Sequence, residues 1–294
     1  MSQRVTVKDV AAQAGVSVAT VSYIMNNRTD VKISDATRKK VLQIANLLNY
    51  TPSAAAKSLV TGKNYIIGVS YRLVDNSPSR NLEITGFVNL LIERLNRMNY
   101  DVMFIPVIKN DDNLPVRKNI DGIIAIDLSE QEFRDLSGSY LVPVIAVDMI
   151  VNDDLFYQIH TNFSSFTTKK LSEDSDSVLV MEKYVNENYM DYICNNIPDN
   201  KLCIIDAANM PDKKFFNGKH IIALGTYLAL MIKPYVDEKN LTAIASDVYM
   251  HILPDNITVV ESDATKKANV AINLMLNAID RKFEVNHIYE INID

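Results

Sequence analysis

The sequence lacks several features that would place it in large classes of proteins. It has two cysteines, Cys194 and Cys203, in 294 residues, which is too few for a disulfide framework, so we expect reduced thiols. No apolar run is long enough to span a bilayer. The N-terminus shows no basic stretch followed by an apolar one, so we expect no signal peptide. These absences predict a cytoplasmic protein without a membrane segment.

Motifs for catalysis and cofactor binding are also missing. No GxGxxG follows a predicted strand and no GxxxxGK[ST] occurs, so nucleotide binding lacks its usual loop. No GxSxG marks a nucleophile. The histidines at positions 160, 220, 251 and 287 are scattered, without metal-ligand spacing. We therefore expect no enzyme, no cofactor and no metal site.

The net charge of -6 conceals an uneven distribution along the chain. Residues 1–63 contain nine Lys or Arg against three Asp, a net charge of +6, which leaves -12 for the remainder. A basic head on an acidic body indicates that the head meets a polyanion. A basic surface without such a partner is the alternative.

The stretch VKDVAAQAGVSVATVSYIMNN (7–27) predicts two helices separated by a tight turn. Thr6 and Asp9 have capping-box spacing, and Gly15 supplies the left-handed residue that ends the first helix. Ser17 begins the second helix and Ser34 a third. Apolar residues recur at helical spacing, which predicts a small core formed by Val7, Val10, Ala11, Ala14, Val21, Ile24, Met25, Val41, Ile44, Ala45 and Leu48.

Two helices joined by a short turn that contains glycine, with a third to close the core, indicate a helix-turn-helix. In that motif the second helix enters the DNA major groove with its N-terminal end towards the bases. A three-helix domain for protein contacts is the alternative that the pattern alone leaves open.

Three segments carry a resemblance to a known family: the stretch just quoted, ISDATRKKVLQIANLLNYTPSAAAKSLVTGK (33–63) and YIIGVS (65–70). Together they resemble the lactose-repressor (LacI/GalR) family of bacterial transcription regulators, densely through residue 70 and more sparsely to the C-terminus. The resemblance implies a helix-turn-helix DNA-binding domain over 1–50, a hinge helix over 51–63, and an effector-binding and dimerisation domain over 64–294.

The resemblance also implies where the head contacts DNA. Val18 and Ala19 offer only apolar contact, for instance to a thymine methyl. Tyr23 stands where relatives often have Arg, so bidentate reading of guanine is lost there. Phosphate contacts are expected from Ser17, Asn26, Arg28 and Lys32. The expected DNA-binding residues are Thr6, Ser17, Val18, Ala19, Thr20, Ser22, Tyr23, Asn26, Arg28, Ala56, Lys57 and Leu59.

The segment TPSAAAKSLVTGK (51–63) predicts a helix of about two turns between Pro52 and Gly62, too short to persist alone in water. The resemblance implies that it orders when two subunits pair over the operator. Leu59 would then act as a wedge in the minor groove, with Ala56 and Lys57 along it. A plain alanine-rich linker helix is the alternative.

From residue 64 onwards, apolar runs alternate with helical patterns. YIIGVS, DVMFIPV, DGIIAID and PVIAVD predict buried parallel strands, and the rhythm repeats after FYQIHT, which predicts an α/β body with two similar halves. The resemblance implies a periplasmic-binding-protein-like body of two subdomains with parallel sheets. We expect an N-subdomain of about 64–150 and 252–281, and a C-subdomain of about 151–251 and 282–294.

Polar residues at strand ends indicate an effector cleft, since open α/β sheets bind ligands at that edge. Asp127, Asp148 and Asp247 each end an apolar run, and Tyr71 follows another. The expected effector-binding residues are Tyr71, Ser77, Asp148, Tyr189 and Asp247.

The body departs from sugar-binding relatives at the cleft. Those relatives carry an arginine in the segment corresponding to 183–192 and an Asn-Asp pair where this chain has Gly225-Thr226. A buried ligand hydroxyl without partners loses affinity. Three interpretations stay open: a cleft rebuilt for another molecule, control by a protein partner, and an unregulated DNA binder.

We therefore predict a homodimeric, sequence-specific regulator, a repressor, on a pseudo-palindromic double-stranded DNA operator, with a small-molecule effector or a protein co-regulator left open. A ligand-binding protein that is not a regulator is one alternative, but it assigns no function to the head. A structural DNA-bending protein needs no cleft, so a core closed and filled by side chains would favour it.

Overall fold

A computed structural model of the chain describes residues 5–26, 28, 31–51, 58, 61–107 and 119–293. The chain forms two units, residues 1–64 and 65–294. Their boundary lies one residue from the predicted start of the body. The predicted hinge residues Ala56, Lys57 and Leu59 fall outside the described residues.

The first unit is a helical head. Its described helices are α1 (Val7–Ala14), α2 (Val18–Met25) and α3 (Asp35–Leu47). Gly15 ends α1 with φ of 68°, a conformation that costs glycine little. The side chains of Ser17 and Ser34 cap the next two helices. The buried core consists of Val10, Ala11, Ala14, Val21, Ile24, Val41, Ile44 and Ala45, in agreement with the predicted stripes.

The second unit is an α/β body. Its strands are β1 (Ile66–Ser70), β2 (Asp101–Phe104), β3 (Gly122–Ile126), β4 (Val144–Val147), β5 (Tyr157–Asn162), β6 (Ser177–Glu182), β7 (Leu202–Ile205), β8 (His220–Leu224), β9 (Leu241–Ser246), β10 (Thr258–Ser262) and β11 (Ile288–Asn292). Its α-helices are α4 (Pro78–Arg97), α5 (Glu130–Ser139), α6 (Phe163–Glu173), α7 (Glu187–Cys194), α8 (Lys213–Phe216), α9 (Thr226–Ile232) and α10 (Ala264–Ile279). Short 3-10 turns span Asp199–Lys201, Lys233–Tyr235, Glu238–Asn240 and Met250–Ile252. None of the helices in the described part of the chain is long and apolar enough to cross a membrane.

The strands form two sheets in which all pairings are parallel. Sheet 1 has the order β11-β5-β4-β3-β1-β2 and sheet 2 the order β10-β9-β8-β6-β7. Both sheets therefore share one doubly wound pattern, in which the strand order reverses beside the first strand. The central strands β3, β4, β6 and β9 are buried along their whole length, as their continuous apolar runs require. The predicted parallel α/β fold with two similar halves is confirmed.

The predicted subdomain boundaries need correction. β5 pairs with β4, so β5 and its neighbour β11 lie in sheet 1 with the strands of the expected N-subdomain, although residues 151–251 and 282–294 were expected in the C-subdomain. β10 pairs with β9 in sheet 2, although 252–281 was expected in the N-subdomain. A parallel strand finds its neighbour through distant packing, so its own sequence does not say which sheet it joins. The first subdomain is thus built on sheet 1 with α4, α5 and α10, and the second on sheet 2 with α6, α7, α8 and α9.

His160 on β5 is buried beside α7, between the two subdomains. It is 2% exposed, and its ring lies 5.3 Å from that of Tyr189 and 5.0 Å from that of Tyr192. Among the described residues, neither ring nitrogen has a hydrogen-bond partner, and Nε2 lies 3.6 Å from Glu290 Oε1. Burial lowers the pKa of His160 below 6.5, while Glu290 and Asp148 oppose this shift and Lys267 adds to it.

A lowered histidine pKa makes stability depend on pH. The unfolded chain binds a proton at His160 more readily than the folded one, so stability falls as pH drops below about 6.5. We expect His160→Phe to remove this part of the acid destabilisation, as measured by urea unfolding at about pH 7.5 and pH 5.5. The exposed His251→Phe serves as the control. Equal pH dependence in wild type and His160→Phe would contradict the assignment.

Candidate functional site

The outer face of α2 presents the residues expected to meet DNA. Val21 and Ile24 are buried in the head, while Val18, Ala19 and Ser22 are exposed on the opposite side. Thr20 and Tyr23 are half-buried, and Thr6, Ser17, Asn26 and Arg28 are exposed. All the expected DNA-binding residues of the described head therefore reach solvent.

Local hydrogen bonds fix both ends of α2. Ser17 Oγ accepts a bond from the Thr20 amide at 3.1 Å, and Asn26 Nδ2 donates to Ser22 O at 2.8 Å. The Arg28 guanidinium carbon lies 5.2 Å from the centre of the Tyr23 ring, within the range of a cation–π contact. Sequence reasoning gave Tyr23 and Arg28 separate roles, whereas the structure brings them together at one end of the helix.

The start of α1 is closed by its capping box. The amide and the hydroxyl of Thr6 each donate to Asp9 Oδ2 at 2.8 Å. These bonds lower the pKa of Asp9 below its ordinary value. The Thr6 hydroxyl proton is thus already used within the head.

In the body, the carboxyl ends of both sheets meet at a cleft, beside the points where the strand order reverses. Arg80, near the start of α4, fills this position. Its Nη2 is 3.0 Å from Asp127 Oδ2, and its amide donates to Glu182 Oε2 at 2.8 Å. Its guanidinium carbon lies 3.7 Å from the centre of the Tyr184 ring. Asp127 follows β3 and Glu182 ends β6, so Arg80 connects the two sheets at their switch points.

A second buried ion pair lies beside the first. Lys267 Nζ on α10 contacts the two carboxylate oxygens of Asp148 at 2.7 and 2.8 Å and Thr161 Oγ1 at 3.3 Å. Asp127 and Asp148 both have positive φ, 46° and 50°, an uncommon conformation that Asp tolerates better than most residues. These turns aim both carboxylates from sheet 1 into the cleft.

Carboxylates from one subdomain occupy helix N-termini of the other, where amides carry no intrahelical partner. Glu182 accepts from the amides of Ser79 and Arg80 at the start of α4, and Asp127 from those of Val185 and Asn186 before α7. Glu83 accepts from Thr226 at the start of α9, and Asp247 from Ala264 and Thr265 at the start of α10. Burial raises the pKa of Asp127 and of Glu182, against the lowering effect of Arg80 and these amides.

Gly225 allows a close approach between the subdomains. Its φ is 129°, and a Cβ at this position would lie 2.4 Å from Ser79 Oγ. Ser79 Oγ in turn accepts a bond from the Leu228 amide at 3.0 Å. Where sugar-binding relatives are expected to hold a ligand with side chains, this chain packs one subdomain directly against the other.

Little space remains in the cleft. The cavity there measures about 30 Å³ and is lined by side chains that include Arg80, Glu83, Asp148, Tyr184 and Lys267. Ligand sites for small molecules usually measure about 300–1,000 Å³. In this conformation the cleft holds no sugar-sized molecule.

The structure does not bring the expected effector residues together. Asp148 alone of the five lines the cavity. Ser77 is buried at the position before α4, and the Tyr71 ring packs against Phe104. Tyr189 is fully buried, and its hydroxyl donates to Thr161 O.

Asp247, the remaining expected effector residue, caps α10. Carboxylate oxygens of Asp247, Glu261 and Asp263 lie within 4.8 Å of one another. Asp247 and Asp263 both accept from backbone amides at the start of that helix, which accounts for their positions. The two acids among the expected residues are thus already bonded within the protein, Asp148 to Lys267 and Asp247 to backbone amides at the start of α10.

Arg80 and Lys267 were missed, although the sequence carries a signal for both. Arg80 falls on the same face of α4 as Ile84, Phe87, Val88, Leu91 and Leu95, which are buried. Lys267 falls on the buried face of α10 with Ala271, Leu274, Met275 and Ala278. A single cation within an apolar helical stripe requires a buried counter-charge, and this rule would have pointed to the ion pairs.

Comparison with known proteins identifies the head. Residues 6–53 match the sequence profile described as "Bacterial regulatory proteins, lacI family". Residues 6–53 form a lacI-family regulatory domain. The whole chain, including this lacI-family head, is similar in fold to the crystal structure of the lac repressor dimer bound to operator and the anti-inducer ONPF. The TM-score is 0.65 at 17% identity, over 99% of this chain and 97% of that one.

Curated relatives extend the similarity beyond the lacI-family head. The probable HTH-type transcriptional repressor ExuR of Bacillus subtilis is 32% identical over 169 residues, which cover 54% of this chain and 47% of the relative. Catabolite control protein A of Staphylococcus xylosus is 29% identical over 180 residues, or 58% and 51% of the two chains. The chain spans about half the length of the curated relatives it matches.

The close approach at Gly225 can be tested by adding one methyl group. Gly225→Ala forces a Cβ onto Ser79 Oγ and an unfavourable φ, so we expect a loss of about 2 kcal/mol or more in unfolding free energy. Gly138→Ala in α5 is the matched control, because its Cβ meets nothing within 4 Å and helical Ala is favoured. Chemical denaturation measures both, and equal stabilities of the two variants would contradict the packing.

The Arg80–Asp127 pair predicts a strong coupling between its members. Arg80→Met leaves the Asp127 carboxylate buried without its partner, which costs about 3–5 kcal/mol. The double variant Arg80→Met/Asp127→Asn removes both charges, so we expect it to recover much of that loss. The exposed Arg97→Met, which separates an Arg97–Glu93 pair, should cost less than about 1 kcal/mol. Additive losses in the double variant would exclude a coupled pair.

Proposed function

We propose that this chain is a DNA-binding transcription regulator, a repressor that reads a specific operator through α2. One observation carries the proposal: α2 exposes Val18, Ala19 and Ser22 opposite its buried Val21 and Ile24. The excess of positive charge over residues 1–63 supplies the attraction to phosphates. The lacI-family match over residues 6–53 and the repressor relatives support it.

We further propose that the protein acts as a cytoplasmic homodimer on a pseudo-palindromic site. A twofold dimer presents two equivalent recognition helices to two half-sites. The similarity in fold to a lac repressor dimer bound to operator supports this arrangement.

For the cleft, we propose that no sugar-sized effector binds in the described conformation. The cavity of about 30 Å³ and the internal ion pairs support this proposal. The same observation favours a second candidate function, a structural DNA-bending protein without an effector. The two candidates differ in DNA specificity, since a repressor binds its operator about 10³–10⁷ times more tightly than non-specific DNA at the same salt.

Selection of binding sites from a random duplex library, followed by titration at several salt concentrations, tests the proposal. Tyr23→Ala should relax the preference at one position in each half-site, with a discrimination loss of roughly tenfold. Arg28→Gln should instead weaken binding to all sequences alike and reduce the salt slope by about 1.

Gln43→Ala on α3, an exposed position outside the expected contacts, is the control and should change neither property. Specific and non-specific affinities of similar size would overturn the repressor and favour the structural protein. An unchanged sequence preference in Tyr23→Ala would show that Tyr23 does not read bases.

A further inference from the structure

A groove of about 720 Å³ opens on the second subdomain, at the end of sheet 2 where β8 and β9 begin. Its lining includes Lys213, Lys214, Asn217, Lys219, Tyr235 and Asn240. The cleft lies at the other end of the same strands, since Leu224, Gly225 and Ser246 line the cleft cavity. Five residues of β8 separate the two ends, a distance of roughly 16 Å.

The lysines of the groove carry unneutralised charge. In the part of the chain that the structure describes, no carboxylate lies within ion-pair distance of Lys213, Lys214 or Lys219. One carboxylate, Asp237, lines the groove, and it accepts a bond from the Lys239 amide. The rest of the chain beyond residue 63 has a net charge of -12, so the groove is a local positive site on an acidic body.

Aromatic side chains shape the same groove. The Tyr235 ring is 37% exposed and lies 6.0 Å from the ring of Phe216, which is buried. Lys219 Nζ lies 3.7 Å from the centre of the Phe215 ring, a contact that orients the ammonium without neutralising it. A fixed ring surface and three cations therefore border one space.

We propose that this groove binds a nucleoside phosphate. The lysines would contact the phosphate oxygens through charge-assisted bonds, and the Tyr235 ring would pack against the base. The amides of Asn217 and Asn240 offer donors and acceptors to the remaining polar atoms. The volume falls within the usual range for small-molecule sites, which the cleft cavity does not reach.

A ligand in this position would act on the strands that end at the cleft. β8 runs from the groove to Gly225, whose backbone packs against Ser79. A shift of α8 and the start of β8 would therefore reach the contact between the subdomains. Ligand binding in the groove and DNA recognition by the head use different residues. An experiment can therefore exclude one of the two proposals without excluding the other.

Isothermal titration of the full chain with three probes tests the proposal: adenosine diphosphate, inorganic pyrophosphate and adenosine. We expect the diphosphate to bind most tightly, pyrophosphate more weakly and adenosine least, with affinity falling as salt is added. The triple variant K213Q/K214Q/K219Q should lose roughly tenfold or more in affinity for both phosphate probes. K169Q/K183Q/K266Q removes the same charge from exposed positions outside the groove and should retain binding.

Tyr235→Leu tests the contribution of the aromatic ring to binding apart from that of the lysine charges. It should lower the affinity for adenosine diphosphate and leave that for pyrophosphate unchanged. The proposal is overturned if no heat of binding is measured with adenosine diphosphate, or if both triple variants lose affinity equally. Adenosine binding as tight as the diphosphate would overturn it as well.

Discussion

The buried guanidinium of Arg80 is the constraint on which the body's arrangement depends. A cation removed from water requires counter-charges and hydrogen bonds around it. Arg80 finds them in Asp127 from sheet 1 and in the Tyr184 ring, while its amide bonds to Glu182 from sheet 2. Because these groups come from both subdomains, satisfying Arg80 fixes α4, the end of β3 and the end of β6 at one place.

The Lys267–Asp148 pair next to it meets the same need of a buried cation for a counter-charge. Separation of the subdomains would take the Glu182 carboxylate and the Tyr184 ring away from Arg80, so polar contacts as well as apolar packing hold the cleft closed.

The same constraint explains why the features of a sugar site are missing. Helix N-termini at a cleft are suited to polar and anionic groups of a ligand, but here carboxylates of the protein occupy them. Gly225 stands where a ligand-binding side chain is expected, and its lack of a Cβ admits Ser79 instead. No arginine occurs between Lys170 and Arg281. The cation of the cleft is instead Arg80 of α4, and it pairs with Asp127 rather than with a ligand.

The head could be predicted almost residue by residue, and the body only in outline. The helix caps, the glycine turn and the apolar stripes of α1, α2 and α3 depend on residues that are close together in the chain, so they can be predicted from the sequence. The strands of the body were also visible as apolar runs, but the sheet that β5, β10 and β11 join is decided by packing between residues far apart in the chain. The expected effector residues do not line one cavity for a related reason. Position at a strand end was correct for Asp148 and Asp247, yet their bonding partners, Lys267 and the amides of α10, come from distant elements. Arg80 and Lys267 each interrupt an apolar helical stripe. A charge on a buried helix face was therefore a better guide to the polar groups of the cleft than an acid at a strand end.

A filled cleft also limits how the body can respond to a small molecule. A ligand that enters the cleft must displace the contacts that join the subdomains there, among them the bonds from the Ser79 and Arg80 amides to Glu182 and the packing of Arg80 on the Tyr184 ring. A ligand must favour one state over the other by about 5.5 kcal/mol to move a two-state equilibrium from 1:99 to 99:1, and breaking these contacts lowers the binding energy that is left for that shift. A ligand at the opposite end of β8 and β9 would break none of these contacts, because the groove there is lined by other residues. Such a ligand would act only through a difference in its affinity for two arrangements of the subdomains. Control of this body from its open end is therefore energetically easier than control from its cleft.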